Sequence, residues 1–233
     1  MERKKENVEK MFDSIASEYD KLNHIMSAGV DKTWRSRALK YIVEKDKVQR
    51  ILDIACGTGD FSVAIARKAH KETTVQGLDL SEGMLDVMAR KVEQLGMSHQ
   101  ISGEKGDCEH MRFDDDSFDR ATIAFGIRNF EHREECLREI LRVLKPGGKL
   151  VILELSTPDN PLLAWAFILY FTKIVPIIGG IISGDKSAYT YLPDSVLKFP
   201  RKAEWMQTMR DCGYTNVLHK AFTFGICRMY VGE

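Results

Sequence analysis

No two of the five cysteines in this chain (Cys56, Cys108, Cys136, Cys212, Cys227) stand at Cys-x-x-Cys spacing, and their number is odd. That excludes a disulfide framework and a paired-cysteine zinc site, and fits a reducing cytoplasm. Net charge is also missing, since Lys plus Arg and Asp plus Glu each total 34. No global basic field exists to hold phosphate backbones, so nucleic acid is not an expected partner. Proline (6) and glycine (17) are few beside 44% apolar and 29% charged residues, which excludes a disordered or fibrous chain. The stretch MERKKENVEKMF is charged and has no apolar core, so it does not read as a signal peptide. The histidines outside the amino-terminal segment (His70, His99, His110, His132, His219) show no metal-ligand spacing, and no metal is expected.

What is there alternates. Val8, Met11, Phe12, Ile15, Tyr19 and Leu22 recur at helical spacing, and a loop over 23–32 precedes a second helical segment, Trp34 to Val43. Short apolar runs then predict strands at 50–55, 73–78, 101–105, 120–125 and 149–153. Helix-length segments separate most of them, including 61–69, 81–95 and 133–144. That order implies parallel βαβ units and a doubly wound α/β sheet. After a helix at 202–212, two closing strands (214–220 and 222–231) are joined by a turn too short for a crossover, so they pair antiparallel. One domain spanning 1–233 is expected, with a helical lid over about 1–45 and an apolar insertion over about 157–200. From Pro161 to Gly184 the only charge is Lys173. The length approaches that of a membrane span, but Lys173, Pro176 and Gly179-Gly180 argue against crossing. A segment that is buried or faces a membrane is the expectation.

The strand ending in Ile54-Ala55 runs into Cys56-Gly57-Thr58-Gly59 and then a helix, an arrangement that lets a ligand approach backbone N–H groups closely. Asp79 lies twenty residues after Gly59, where a carboxylate can accept from both ribose hydroxyls. A dinucleotide fingerprint would want Gly or Ala where Ser62 stands, and Asp60 at the helix start would repel a pyrophosphate. Both points favour S-adenosylmethionine, with NAD as the alternative. Asp107, after the third strand, is placed either to accept from an adenine amino group or to join a solvated acidic loop.

These residues resemble a known family. Leu52-Asp53-Ile54-Ala55-Cys56-Gly57-Thr58-Gly59-Asp60 is similar to the first motif of class I S-adenosylmethionine-dependent methyltransferases. Tyr19-Asp20-Lys21-Leu22-Asn23 with Ser27 and Trp34 resembles the amino-terminal signature of the UbiE/MenG quinone C-methyltransferases. Arg142-Val143-Leu144-Lys145-Pro146-Gly147-Gly148, with Glu154 and Ser156, resembles their second signature, and Ala124 to Asn129 their segment after the fourth strand. Asp31 stands where the first signature usually has His, and Ala124 where many members have Ser. The resemblance implies a Rossmann-like, mostly parallel seven-stranded sheet with an antiparallel closing strand. It also implies methylation of a ring carbon in demethylmenaquinol, or alternatively in a ubiquinone precursor. A same-fold methyltransferase for another small molecule and a noncatalytic lipid-associated scaffold are the further alternatives.

The expected site follows. Asp53, Gly57, Thr58, Gly59, Asp79, Asp107 and Cys108 are the cofactor-binding candidates. Arg128, His24 and Asp20 are the catalytic candidates, with His24 as base and Arg128 for an aryl oxyanion. Tyr19, Asn129, Phe167 and Phe171 are the substrate-binding candidates. A polyprenylated quinol is the expected partner, with peripheral contact at the inner face of the membrane. The sequence leaves homo-oligomerisation open.

Overall fold

The structure, a computed structural model, describes residues 2–177 and 187–233. Seven strands form one sheet: β1 (Arg50–Ile54), β2 (Thr74–Asp79), β3 (Ile101–Lys105), β4 (Phe118–Ala124), β5 (Leu144–Leu155), β6 (Leu218–Phe222) and β7 (Cys227–Gly232). Their order is β3-β2-β1-β4-β5-β7-β6, with β7 antiparallel to both neighbours and the other pairings parallel. The strand order reverses between β1 and β4, and in such sheets ligands bind at the carboxyl ends of the strands beside that point.

Among the described residues the helices are α1 (Glu2–Ile15), α2 (Tyr19–Met26), α3 (Val30–Ile42), α4 (Asp60–Ala66), α5 (Glu82–Gln94), α6 (Arg133–Val143), α7 (Pro161–Leu169), α8 (Ser187–Leu197) and α9 (Lys202–Asp211). Trp34, Ile42, Phe61 and Met88 of α3, α4 and α5 cover one face of the sheet. Leu137, Ile140, Trp205 and Met209 of α6 and α9 cover the other. Ser81 caps α5 by accepting from Met84 N, and Asn160 caps α7 by accepting from Leu162 N and Leu163 N.

Two expectations need correction. The single opening helix is broken after Ile15, because apolar spacing continues across the break and carries no trace of it. The lid is also shorter than 1–45: Trp34, Ala38 and Ile42 bury α3 in the sheet core, leaving α1 and α2 above the strand ends. Polar bonds hold these two helices down. Asp13 accepts from Ser81 Oγ and Gly83 N, and Lys5 pairs with Asp107. A small apolar cluster of Ile15, Leu22, Met84 and Val175 completes the attachment.

The apolar segment opens as α7 and continues through a π-helical turn, Tyr170–Ile174. No described helix is long and apolar enough to cross a membrane, and residues 178–184 of the run lie outside the described residues.

Asp53 sits in mid-sheet on β1, accepting from Ser62 Oγ on α4 (2.6 Å) and from Thr122 Oγ1 on β4 (2.9 Å). Its carboxyl is buried and occupied by those hydroxyls, and it does not line the cleft described below, so its expected cofactor contact is replaced by a role in the fold. Burial raises its pKa to about 6, against the pull of the two hydroxyls. A raised folded-state pKa contributes stability below the unfolded value of 3.8, lost as pH rises through about 6. Asp53→Asn should therefore stabilise the fold near neutral pH by on the order of 2–3 kcal/mol. Denaturant titrations should show that gain shrinking as pH falls from about 6 to 3.8.

Candidate active site

The turn after β1 is wound left-handed. Ala55 has φ +51°, Gly57 +54° and Gly59 +79°. A Cβ on Gly59 would lie 2.6 Å from Met88 Cγ, so this glycine is required by helix packing, whereas Gly57 faces the cleft beside Tyr19. Asp79, at the end of β2, accepts from Gly57 N (2.8 Å) through one oxygen and from Ser81 N (2.9 Å) through the other. Burial pushes its pKa up, and the backbone N–H groups oppose that. Each oxygen retains a free lone pair, so the acid braces the glycine turn and can still accept from a ligand.

A cleft of about 760 Å³ lies over these groups. Gly57, Asp79, Asp107 and Cys108 line it, with Leu80 and Met84, and α1 covers it with Val8 and Phe12. Asp107 takes the Lys5 ammonium at 2.9 Å, so it belongs to a latch on α1 as well as to the cleft wall. Thr58 does not face the cleft; its hydroxyl donates to Asp20, which removes it from the expected cofactor contacts along with Gly59. Asn129 was expected at the substrate but lines this cleft, and its buried Oδ1 has no partner among the described residues.

A second cavity, about 860 Å³, adjoins the first. Trp34, Leu155, Phe167, Tyr170 and Phe171 make it apolar, and Asp31, Arg35 and Arg128 add charge at its wall. Phe167 and Phe171 stack with ring centroids 4.3 Å apart. Tyr170 donates to Met26 O (2.9 Å), tying the segment after α7 to the end of α2. Tyr19 and Phe125 line both cavities and so form the wall between them. Phe125 holds that position with φ +63°, a strained conformation for an aromatic residue, of the kind found at functional sites.

Arg128 is buried in the turn after β4. Glu154 of β5 accepts from its Nη1 (2.7 Å) and from its backbone N–H (3.1 Å), while Phe125 O and Ser195 Oγ take further donors. The sequence neighbour Glu131 plays no part in this pairing.

His24 and Asp20 line neither cavity. His24 Nδ1 lies 3.1 Å from Asp31 Oδ2 and its Nε2 lies 3.4 Å from Asp60 Oδ2. Lys91 reaches Asp20 and Asp60 at 2.6 Å each. Both residues therefore sit in an ionic chain that clamps α2 to α4 and α5, and this geometry removes them from the catalytic candidates. Asp60 shares the single Lys91 ammonium with Asp20, so the three groups keep a net negative charge and the start of α4 stays unfavourable for a pyrophosphate. Asp31 faces the second cavity. Burial pushes its carboxyl up, but Ser27, Arg35 and His24 outweigh that and hold it below the usual range, which suits a structural anion better than a base.

Sequence reasoning missed Phe125 and the pairing of Glu154. The second had a signal, an acid within the apolar run of β5. Glu109, His132 and Glu135 bring ligand atoms within 4.8 Å of one another, but Lys5 and His132 already occupy the Glu109 carboxylate.

The profile of the ubiE/COQ5 methyltransferase family matches residues 1–233. A demethylmenaquinone methyltransferase of Bacteroides fragilis is 42% identical over 228 residues, covering 98% of this chain and 92% of that one. A ubiquinone/menaquinone biosynthesis C-methyltransferase, UbiE, of Geobacter sulfurreducens is 45% identical over 230 residues, covering 99% and 89%. Among solved structures, a SAM dependent methyltransferase from Aquifex aeolicus superposes with a TM-score of 0.63 at 18% identity, covering 85% of this chain and 88% of that one. The [4+2]-cyclase SpnF superposes at 0.69 with 20% identity, covering 95% and 77%. A cyclase on this scaffold illustrates that fold alone does not name a reaction. Sequence and site together do: the chain belongs to the ubiE/COQ5 methyltransferase family.

Proposed function

We propose that this chain methylates a ring carbon of demethylmenaquinol, using S-adenosylmethionine, in the cytoplasm at the inner face of the membrane. The observation that carries the reading is the pair of cavities of opposite character sharing the Tyr19–Phe125 wall. The cleft suits the cofactor. Asp79 has acceptor capacity for both ribose hydroxyls, and Leu80, Met84 and Cys108 offer an apolar slot for a purine. The orphaned Asn129 Oδ1 needs a donor, which an ammonium supplies. The second cavity suits a naphthoquinol ring, with Phe167 and Phe171 placed along an isoprenoid tail. The names of the relatives support menaquinone biosynthesis, and those that also name ubiquinone keep its precursor as the second reading.

When bound, S-adenosylmethionine supplies an electrophilic methyl group on a sulfonium. A quinone carbon is too electron-poor to accept it. The reduced quinol is nucleophilic once a ring hydroxyl gives its proton to solvent. Its ring carbon gains the methyl group as the methyl–sulfur bond breaks and then gives up its own proton to restore the aromatic ring. The chain must therefore stabilise an aryl oxyanion in an apolar cavity. Arg128 is the residue for that task. Glu154, Phe125 O and Ser195 fix its guanidinium from three directions, so the charge is in place before it is needed. The aromatic wall shapes the aperture between the ligands and holds reacting groups in line.

The acceptor's redox state gives the direct test. Demethylmenaquinone extracts should be methylated only with a chemical reductant present, and equal rates with reduction rigorously excluded would overturn the reading. Asp79→Ala should weaken S-adenosylmethionine binding roughly tenfold or more in calorimetric titration of folded protein. Arg128→Lys keeps the charge but loses the planar fork. It should lower kcat by roughly a hundredfold while leaving cofactor affinity unchanged.

A further inference from the structure

Three consecutive residues between β6 and β7 have left-handed backbone: Thr223 (φ +46°), Phe224 (+56°) and Gly225 (+92°). Such a conformation is costly for a β-branched and an aromatic residue, and it persists because its surroundings enforce it. Trp34 Nε1 donates to Thr223 Oγ1 (2.8 Å), Ser156 Oγ donates to Gly225 O (2.6 Å), and Ser156 N donates to Ile226 O (2.9 Å). The side chain these bonds present is Phe224, 80% exposed, the most exposed large apolar side chain of the described residues.

The turn flanks the acceptor cavity. Thr223 and Ile226 line it from one side, and Phe167, Tyr170 and Phe171 line it from another. A Cβ on Gly225 would lie 3.6 Å from Pro158 Cα, just before α7 begins. The opposite face of α7 carries Leu162, Trp165 and Leu169 at helical spacing, exposed at 73%, 64% and 44%. No acidic residue occurs from Pro161 through Ile177, and Lys173 is the only charge. Asp159, two residues before α7, is answered by Arg228 at 2.8 Å.

We infer that Phe224 is a membrane anchor, and that with the outer face of α7 it seats the mouth of the acceptor cavity on the lipid surface. This rests on the reading of the acceptor as a tailed quinol. Lipid is the occupant the surface fits. Trp, Phe and Leu are the side chains that an interfacial segment buries at the headgroup boundary, and Lys173, with no acid over 161–177, is compatible with anionic lipid. A stable dimer would need about 800 Å² and some 20–30 residues a side, which four exposed side chains on a turn and a short helix do not supply.

The test is partition of the full chain into phosphatidylcholine/phosphatidylglycerol vesicles by co-sedimentation, with no quinol present. Phe224→Asn suits the left-handed backbone and keeps the turn folded. It should lower partition at least about threefold, and with Leu162→Ser and Trp165→Ser at least about thirtyfold, as loss of interfacial apolar area requires. Phe224→Trp should restore binding. Binding of the parent chain should also shift Trp165 emission to the blue. All variants should methylate a tailless demethylated naphthoquinol at the parent rate, while losing rate on tailed quinol held in vesicles. Unchanged partition in folded Phe224→Asn would overturn the anchor and leave the methyltransferase reading standing. Loss of a dimer without any vesicle binding would overturn it in favour of a second copy as occupant. Normal partition with no methylation of any quinol would instead remove the activity on which the reading rests.

Discussion

A guanidinium and a carboxylate buried together at the carboxyl edge of the sheet govern the rest of the site. Taking both ions out of water is expensive, and the arrangement is compensated by three hydrogen bonds to Glu154, which accepts from the Arg128 side chain, the Arg128 backbone and Leu155 N. That closure joins the turn after β4 to β5. It holds Phe125 with its ring at the wall between the cavities and its carbonyl on Arg128. Arg133 bonds the carbonyls of Ile127 and Arg128, so the start of α6 is tied to the same turn. Strain at Phe125 is thereby offset by charge-assisted bonds a few residues away.

Asp79 does comparable work on the cofactor side with a different chemistry. Its partners are backbone N–H groups, which leave the acid's remaining lone pairs directed at solvent-accessible space. The two buried acids thus divide the task. Glu154 is engaged by its cation, whereas Asp79 keeps acceptor capacity beyond its backbone partners. Asp53, between them in the sheet, is consumed by hydroxyls and serves neither.

The sheet was legible because each parallel strand is a short apolar run with a glycine or acid at its end, a pattern that local spacing displays. The place of Asp79 at the end of β2 was legible for the same reason. The sorting of polar residues was not. Asp20 and His24 belong to a signature-like stretch, yet their partners Lys91 and Asp60 come from distant segments, and no local rule reports that. Arg128 and Asn129 are adjacent in sequence but line different cavities, because one step along a 3₁₀ turn rotates the side chain by about a third of a circle. Glu131 lies only three residues from Arg128 along the chain and takes no part in its pairing. The register of β4 against β5 delivered Glu154 instead.

The two cavities open under different elements: the cleft beneath α1, the apolar cavity beside α7 and the β6–β7 turn. Traffic through them is therefore separate. Apart from the Tyr19–Phe125 wall, the two cavities have no lining residue in common, so each is bounded by its own elements. The cover of the cleft, α1, is held by Lys5, Asp13 and their partners, none of which belongs to α7 or the β6–β7 turn.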